Sequence, residues 1–253
     1  MRYTDLIFDL YGTLVDIHTD ENTLVWEKTA LYFSYYGVPY TGKQLKTDYE
    51  SVVATRESVA GQGYEMYPDI PFHEVMADLF RAKGVSENVD ALGLNAAQVF
   101  RIASTEYLRL YDGVMDALGF LRSKGYRLWL LSNAQRAFTA YELRALGLTE
   151  QFDKVYLSSD YQCRKPDERF FRALIDGQKL DPTKCLMIGN DRDTDIAGAN
   201  NAGLATLYMH TNLTPSQQAP ADPALFPDAD STSRHFEYEG WDWAELAQLI
   251  SQL

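Results

Sequence analysis

Six polar residues, Asp9, Ser132, Asn133, Lys165, Asp191 and Asp195, stand just after short apolar runs of the chain. The run Asp5-Leu6-Ile7-Phe8 leads into Asp9 and then into the turn Tyr11-Gly12-Thr13. Arg127–Leu131 ends in Ser132-Asn133. Lys154–Leu157 precedes Arg164-Lys165-Pro166-Asp167. Lys184–Ile188 ends in Gly189-Asn190-Asp191, with Asp195 one turn later. Apolar runs of this length closed by a turn are typical of buried parallel strands, and open parallel sheets bind ligands at the carboxyl ends of their strands. One rim would then gather two or three carboxylates, a hydroxyl and an amine. That set suits metal-assisted phosphoryl transfer. A carboxylate attacks phosphorus and is regenerated by water, hard oxygens hold Mg²⁺, and a lysine with a helix N-terminus neutralises the transferring group.

The elements that must position this rim follow from periodicity. Helices are predicted over 114–123, from about 134 to 145, over 168–176 and over 195–202. Strands are predicted at 127–131, 154–157, 184–188 and 205–208. Strands alternating with helices at this spacing give βαβ units and a parallel sheet. Between the first strand and Tyr111 the pattern is helical: 22–36, 42–60, 73–83 and 96–110, broken by Gly and Pro, with no alternating strand pattern. In the first of these helices, Leu24, Lys28, Leu31, Tyr32 and Tyr35 share a face that is expected to be the packed one. Asp16, His18 and Asp20 are expected to be exposed side chains of a hinge. The aromatics Tyr32, Phe33, Tyr35 and Tyr36 are expected to pack within the helical segment. Thr211–Asp230, rich in Pro, Ala, Gln and Asp, reads as a loop, His235–Tyr238 as an edge strand and Trp241–Leu253 as a closing helix.

Composition narrows the classes. Of 253 residues, 23 are Lys or Arg and 36 are Asp or Glu, a net charge of −13, which disfavours a nucleic-acid partner. No apolar run is long enough to span a membrane, and the N-terminus carries no secretory pattern, so a cytoplasmic protein is expected. Two cysteines, Cys163 and Cys185, make neither a disulfide framework nor a metal cluster and read as reduced thiols. No repeat or heptad specifies an oligomer.

Four segments together resemble the haloacid dehalogenase (HAD) superfamily: Phe8-Asp9-Leu10-Tyr11-Gly12-Thr13-Leu14, Leu130-Leu131-Ser132-Asn133, Lys165-Pro166-Asp167, and Ile188 through Ala199. The resemblance implies a Rossmann-like α/β core over 1–16 and 108–253, with a helical C1-type cap over 17–107. It implies Asp9 as nucleophile, Ser132 and the amide of Asn133 binding a substrate oxygen, and Lys165 holding Asp9 and the substrate's charge. Gly12 would permit the turn that brings Thr13 and the backbone to the substrate. Asp9, the Tyr11 carbonyl and Asp191 would hold Mg²⁺, supported by Asp195. The substrate would be a small phosphorylated metabolite.

Two features depart from the phosphatase pattern. Tyr11 occupies the position, two after the nucleophile, where most HAD phosphatases have an acid/base Asp. Asn190 stands where many relatives have the first Asp of the fourth motif, with Asp191 one place later. Tyr11 and Ser132-Asn133 resemble the metal-independent 2-haloacid dehalogenases, which makes a 2-haloacid the alternative substrate. Against that, those enzymes carry an Arg about thirty residues after the nucleophile, where this chain has Tyr40 and no Arg before Arg56. They also carry a Tyr where this chain has Phe171. Asp191, Asp193 and Asp195 suit a divalent cation, although Asp193 is expected to face solvent. A binding protein without turnover is the third alternative.

Overall fold

Alternation along each strand decides which layer its side chains join. Leu6, Phe8, Leu128, Leu130, Leu186 and Ile188 point to one face of the sheet. Ile7, Trp129, Leu131, Cys185 and Met187 point to the other. All are buried, so each strand is hydrophobic on both sides, as a parallel sheet between two helical layers requires. The computed structural model of the chain describes residues 2–60, 67–215 and 234–253. Its main sheet contains β1 (Asp5–Phe8), β4 (Arg127–Ser132), β5 (Lys154–Leu157), β6 (Cys185–Gly189), β7 (Ala205–His210) and β8 (His235–Glu239). Their order is β5-β4-β1-β6-β7-β8, and every pairing is parallel. The chain steps outward from β1 in one direction to β4 and β5, then in the other through β6 to β8. That reversal leaves a crevice at the carboxyl end of β1, where open α/β sheets hold ligands.

On one face pack α5 (Val114–Ser123) and α10 (Trp243–Gln252). Trp243 is fully buried there, its ring 6.1 Å from that of Phe8. The C-terminal aromatic cluster thus closes the sheet, although Trp241 remains 43% exposed. On the other face pack α8 (Glu168–Gln178) and α9 (Ala197–Asn201), through Phe170, Phe171, Leu174 and Ala199. Helix α6 (Arg136–Ala145) follows β4, and the short α7 (Ser158–Tyr161) follows β5. Cys163 and Cys185 are free and buried; burial pushes their thiols up to about 11 and about 12. Of the loop expected over 211–230, residues 216–230 lie outside the described residues.

Helices α1 (Thr23–Tyr35), α2 (Gly42–Ala60), α3 (Phe72–Ala82) and α4 (Val89–Ser104) build a third core of their own. Here the expected packed face of α1 is corrected. Val25, Trp26, Thr29, Ala30 and Phe33 are buried, whereas Leu24, Leu31 and Tyr35 are 53%, 70% and 83% exposed. Both faces of α1 are apolar, and the one carrying the larger ring contacts is packed. Trp26 meets Phe100 at 4.8 Å and Phe33 stacks on Phe80 at 4.0 Å.

A second correction concerns both ends of the helical segment. Residues Val15–Thr19 form β2 and Thr105–Leu110 form β3, an antiparallel pair. The helix expected over 96–110 therefore ends at Ser104. A local window cannot see pairing between segments some ninety residues apart, and Leu108 opposite Ile17 and Leu110 opposite Val15 decide the outcome. Asp16 is not an exposed hinge residue. It is buried, accepting from Arg109 at 2.7 and 2.9 Å and from Tyr107 and Asn212 at 3.2 Å. His18 is half-exposed beside Glu106. Although burial opposes its charge, the bonds from Arg109 and Asn212 hold the Asp16 carboxyl below its usual range. The pairing is therefore fully present above pH ~3.9, the unfolded value, and is lost as pH falls through the lowered one. Asp16→Asn is expected to lower unfolding free energy by about 1 kcal/mol near neutrality, a small figure because Arg109 is solvent-exposed. In chemical denaturation the gap to wild type should narrow as pH falls below about 3.9; a gap that persists in strong acid would assign the effect to packing.

Candidate active site

The crevice is built from the ends of β1, β4 and β6. Phe8 is in register with Leu130 and Ile188, so Asp9 and the residues ending β4 and β6 lie at one level. Asp9 continues the ladder, its N–H donating to the Ile188 carbonyl at 3.0 Å. The chain then folds tightly back. The Leu10 carbonyl accepts from Thr13, Leu14 and Val15, and Gly12 has φ +83°. A side chain at Gly12 would collide with Asn190, so only glycine meets both demands of this turn.

Lys165 is buried beneath Asp9, 1% exposed. Its ammonium donates to Asp9 Oδ1 at 2.7 Å, Asp195 Oδ1 at 2.6 Å and the Leu131 carbonyl at 2.8 Å. Three donors meet three acceptors, so the ammonium acts on a substrate through its field rather than through a spare hydrogen. Burial disfavours its charge, but Asp195 and Asp9 outweigh that and raise its pKa. The buried Asp195 carboxyl is pushed up to about 7 by burial, with the charge of Asp9 adding and Lys165 opposing. Its Oδ2 accepts from the Asp191 N–H at 3.0 Å. Both Asp195 oxygens are thus committed within the protein, which suits support of a site rather than direct ligation.

Asn133 ties this lysine's loop to β4. Its amide donates to the Lys165 carbonyl at 3.0 Å and accepts from the Lys165 N–H at 2.8 Å. Its side chain is therefore occupied, which leaves the backbone amide for a substrate. Ser132 differs: it is 1% exposed and its Oγ has no hydrogen-bond partner among the described residues. An orphaned hydroxyl at a strand end beside the crevice is costly unless something else satisfies it. If a substrate oxygen does so, Ser132→Ala is expected to lower kcat by ~10²–10³-fold, with the thermal midpoint nearly unchanged. A large loss of stability with kcat retained would make the hydroxyl structural.

Thr13 is fully buried. Its Oγ bonds Asn190 Oδ1 at 3.2 Å and reaches toward Asp9 Oδ2 at 3.4 Å. Asn190, not Asp191, is therefore linked through Thr13 to Asp9. Asp191 caps the following turn, its Oδ1 accepting from the N–H groups of Asp193 and Thr194 at 2.9 and 3.1 Å, while Asp193 is exposed. Among the described residues no group of three or more His, Cys, Asp and Glu is gathered as a metal ion would need. Hydrogen bonds place the oxygens of Thr13 and Asn190 by Asp9, with Asp191 next in sequence. So lean a set of hard oxygens suits Mg²⁺, which keeps several waters and takes one or two carboxylates.

The Tyr11 side chain does not act at the acid/base position. Its hydroxyl donates to Glu142 Oε2 at 2.5 Å and meets Thr139 Oγ at 2.9 Å, and burial followed by the Glu142 charge raises the phenol's pKa. Arg101 of α4 closes the network by bonding Glu142 at 2.7 and 3.1 Å. Sequence reasoning missed Arg101 and Glu142. They lie ninety and more residues from Asp9, and no local pattern joins them. Tyr40, about thirty residues after Asp9, packs edge-on against Phe33 within the helical segment. A cavity of about 260 Å³ lies between that segment and the sheet's carboxyl edge, lined by residues that include Tyr49, Phe72, Phe100, Arg101, Gln135 and Arg164.

Comparison with known proteins fits this geometry. A glyceraldehyde 3-phosphate phosphatase of Methanothermobacter thermautotrophicus is 32% identical over 111 residues, 44% of this chain and 49% of that protein; the match thus spans about half its length. A pyrimidine 5'-nucleotidase, PynA, of Streptococcus pneumoniae is 26% identical over 236 residues, 86% of this chain and 91% of that protein. The crystal structure of a 2-haloacid dehalogenase from Pseudomonas syringae shares the fold, with a TM-score of 0.65 and 19% identity over 99% of both chains. A sequence model described as haloacid dehalogenase-like hydrolase matches residues 6–203, which takes in Asp9, Ser132, Lys165 and Asp195. The chain belongs to the haloacid dehalogenase-like hydrolase family.

Proposed function

We propose that this hydrolase is a Mg²⁺-assisted phosphatase of a small phosphorylated metabolite, working through a covalent intermediate on Asp9. The observation that carries this is the buried Asp9–Lys165–Asp195 ion chain beside the orphaned Ser132 hydroxyl. The relatives named as a phosphatase and a 5'-nucleotidase support it. Asp9 Oδ2 attacks phosphorus as the bond to the leaving oxygen breaks, solvent water protonates the departing alkoxide, and a second water attacks the aspartyl phosphate at phosphorus, giving up a proton to solvent and releasing phosphate and the free carboxylate. Lys165 holds Asp9 Oδ1 at 2.7 Å and so aims its other oxygen. Ser132 and the Asn133 amide bind a phosphoryl oxygen. Asp9, the Tyr11 carbonyl and Asp191, with Asn190 beside them, would hold Mg²⁺, which supplies charge neutralisation at the phosphoryl group. Asp195 positions Lys165 and the Asp191 amide. We place the core at 1–16 and 108–253 and the cap at 17–107; these bounds fall inside the paired strands β2 and β3. Cap helices over the crevice would exclude water and select the substrate. Among the described residues no helix is long and apolar enough to cross a membrane, which accords with the cytoplasmic location we propose.

Metal-independent 2-haloacid dehalogenation is the second reading. It is favoured by one observation: the side chain joined through Thr13 to Asp9 is the uncharged Asn190. The two readings separate in one assay. Phosphate release from a panel of phosphomonoesters, dependent on Mg²⁺ and abolished by chelator, is expected. Chloride release from 2-chloropropionate in chelator, with no phosphate release, would replace the proposal.

A further inference from the structure

We propose that Arg101 and Glu142 form a latch holding the helical segment against the nucleophile loop, with Tyr11 as its catch. Arg101 is then a positioning residue for the reaction at Asp9. This rests on the reading of Asp9 as nucleophile. Three segments distant in sequence meet here: the loop after β1, the end of α4, and α6. The guanidinium engages Glu142 as a two-bonded fork, and their side chains are only 15% and 7% exposed. It also lies 5.4 Å from the Tyr11 ring centre and 4.7 Å from that of Phe138. A planar fork with ring contacts fixes orientation as well as distance, which lysine cannot reproduce.

The Tyr11 hydroxyl bonds the same Glu142 oxygen, Oε2, that accepts Arg101 Nη2. If α4 moves away, Glu142 loses its counter-ion and becomes a buried unpaired charge. Any shift of Glu142 draws on the phenol, and Tyr11 is separated from Asp9 by Leu10 alone. The Leu10 carbonyl, holding three amides of the turn, leaves little slack to absorb such a shift. Other contacts also cross between the helical segment and the sheet's loops. Gln98 bonds the Ala137 carbonyl, and Gln135 bonds the Phe72 N–H and Asp69. Those contacts do not involve the residues beside Asp9, whereas the Arg101–Glu142–Tyr11 chain ends there.

The test needs two readouts on the full chain. Without substrate, amide hydrogen exchange over residues 10–15 is expected to quicken in Arg101→Gln and in Glu142→Gln, at temperatures well below unfolding. With Mg²⁺ and p-nitrophenyl phosphate, Arg101→Gln is expected to lower kcat on the order of 10²-fold, with KM changed far less. Free guanidinium should restore part of the rate, and Arg101→Lys should not. Tyr11→Phe combined with Arg101→Gln should lose no more than the worse single variant, because both break one chain. Unchanged exchange over 10–15, or lowered thermal stability with kcat intact, would overturn the latch. If Asp9→Asn retained turnover, the nucleophile reading would fall instead; Asp9 dependence with an indifferent Arg101 would remove the latch alone.

Discussion

Replacing Asp9 by Asn is expected to lower turnover on the order of 10⁴-fold or more while the fold stays intact. The argument is steric and electronic. Asn has the same outline, and its oxygen can still accept from the Lys165 ammonium that donates to Asp9 Oδ1. Thr13 can still approach the other branch, and the backbone bond to Ile188 is untouched. What disappears is the negative oxygen able to form an ester and be restored by water. The measurement is phosphate release by wild type and variant, paired with mass detection of a phosphorylated enzyme during turnover by wild type. A variant that still turns over, or wild-type turnover with no adduct on Asp9, would count decisively against covalent catalysis here.

Lys165→Met is expected to be nearly as damaging to activity and, unlike Asp9→Asn, to damage stability too. The ammonium is the counter-ion of two buried carboxylates. Its removal leaves two buried carboxyl groups with no counter-ion, a loss of up to about 3–5 kcal/mol that protonation of Asp195 partly relieves. The pH dependence follows in sign. Asp195 already titrates at about 7 because burial, with the Asp9 charge, outweighs Lys165. Without the lysine its pKa rises further, so near neutrality the folded variant holds a proton that the unfolded chain, titrating near 3.9, does not. Folding then takes up a proton, and stability rises as pH falls from neutrality toward about 4. Wild-type Asp195, pushed up to about 7, takes up the same proton below neutrality, so the two should differ above it: between pH ~7 and ~9 thermal midpoints of Lys165→Met should fall as pH rises while those of wild type stay nearly level. A parallel course over that range would show that Asp195 is not held ionised by the lysine.

Much of this site is legible along the sequence because it hangs on strand ends. A buried strand announces itself as a short apolar run, and the residue after it is fixed in height by register. Asp9 and Ser132 could therefore be assigned to one rim before any coordinates, whereas Lys165, eight residues past β5 and beyond α7, owes its place to the loop rather than to register. Asp195 could be placed as a support one helical turn on. What was not legible depended on contacts between segments far apart. The pairing of Val15–Thr19 with Thr105–Leu110 overrides a helical pattern that runs through Ser104 without a break. The packed face of α1 depends on which aromatic partners α3 and α4 offer, and both faces of that helix are apolar. The occupation of the Tyr11 hydroxyl required Thr139 and Glu142 from α6, and Glu142 in turn required Arg101 from α4. Asn190 and Asp191 are adjacent in sequence, and only the turn geometry tells which of them is joined to Asp9 through Thr13.

The antiparallel ribbon of β2 and β3 has a consequence for how such a protein diversifies. Outgoing and returning strands are hydrogen-bonded side by side, so everything between them is a detour that starts and finishes at one place. The entropy of closing such a detour grows only with the logarithm of its length, roughly 0.6 kcal/mol for each doubling. Residues between the two strands can be lengthened, shortened or exchanged for a different bundle at little loop-closure cost to the sheet, provided the new bundle still pairs Glu142 as Arg101 does. The ribbon thus serves as a socket, and a chimera that keeps Val15–Thr19 and Thr105–Leu110 while swapping the intervening helices should retain a folded sheet layer.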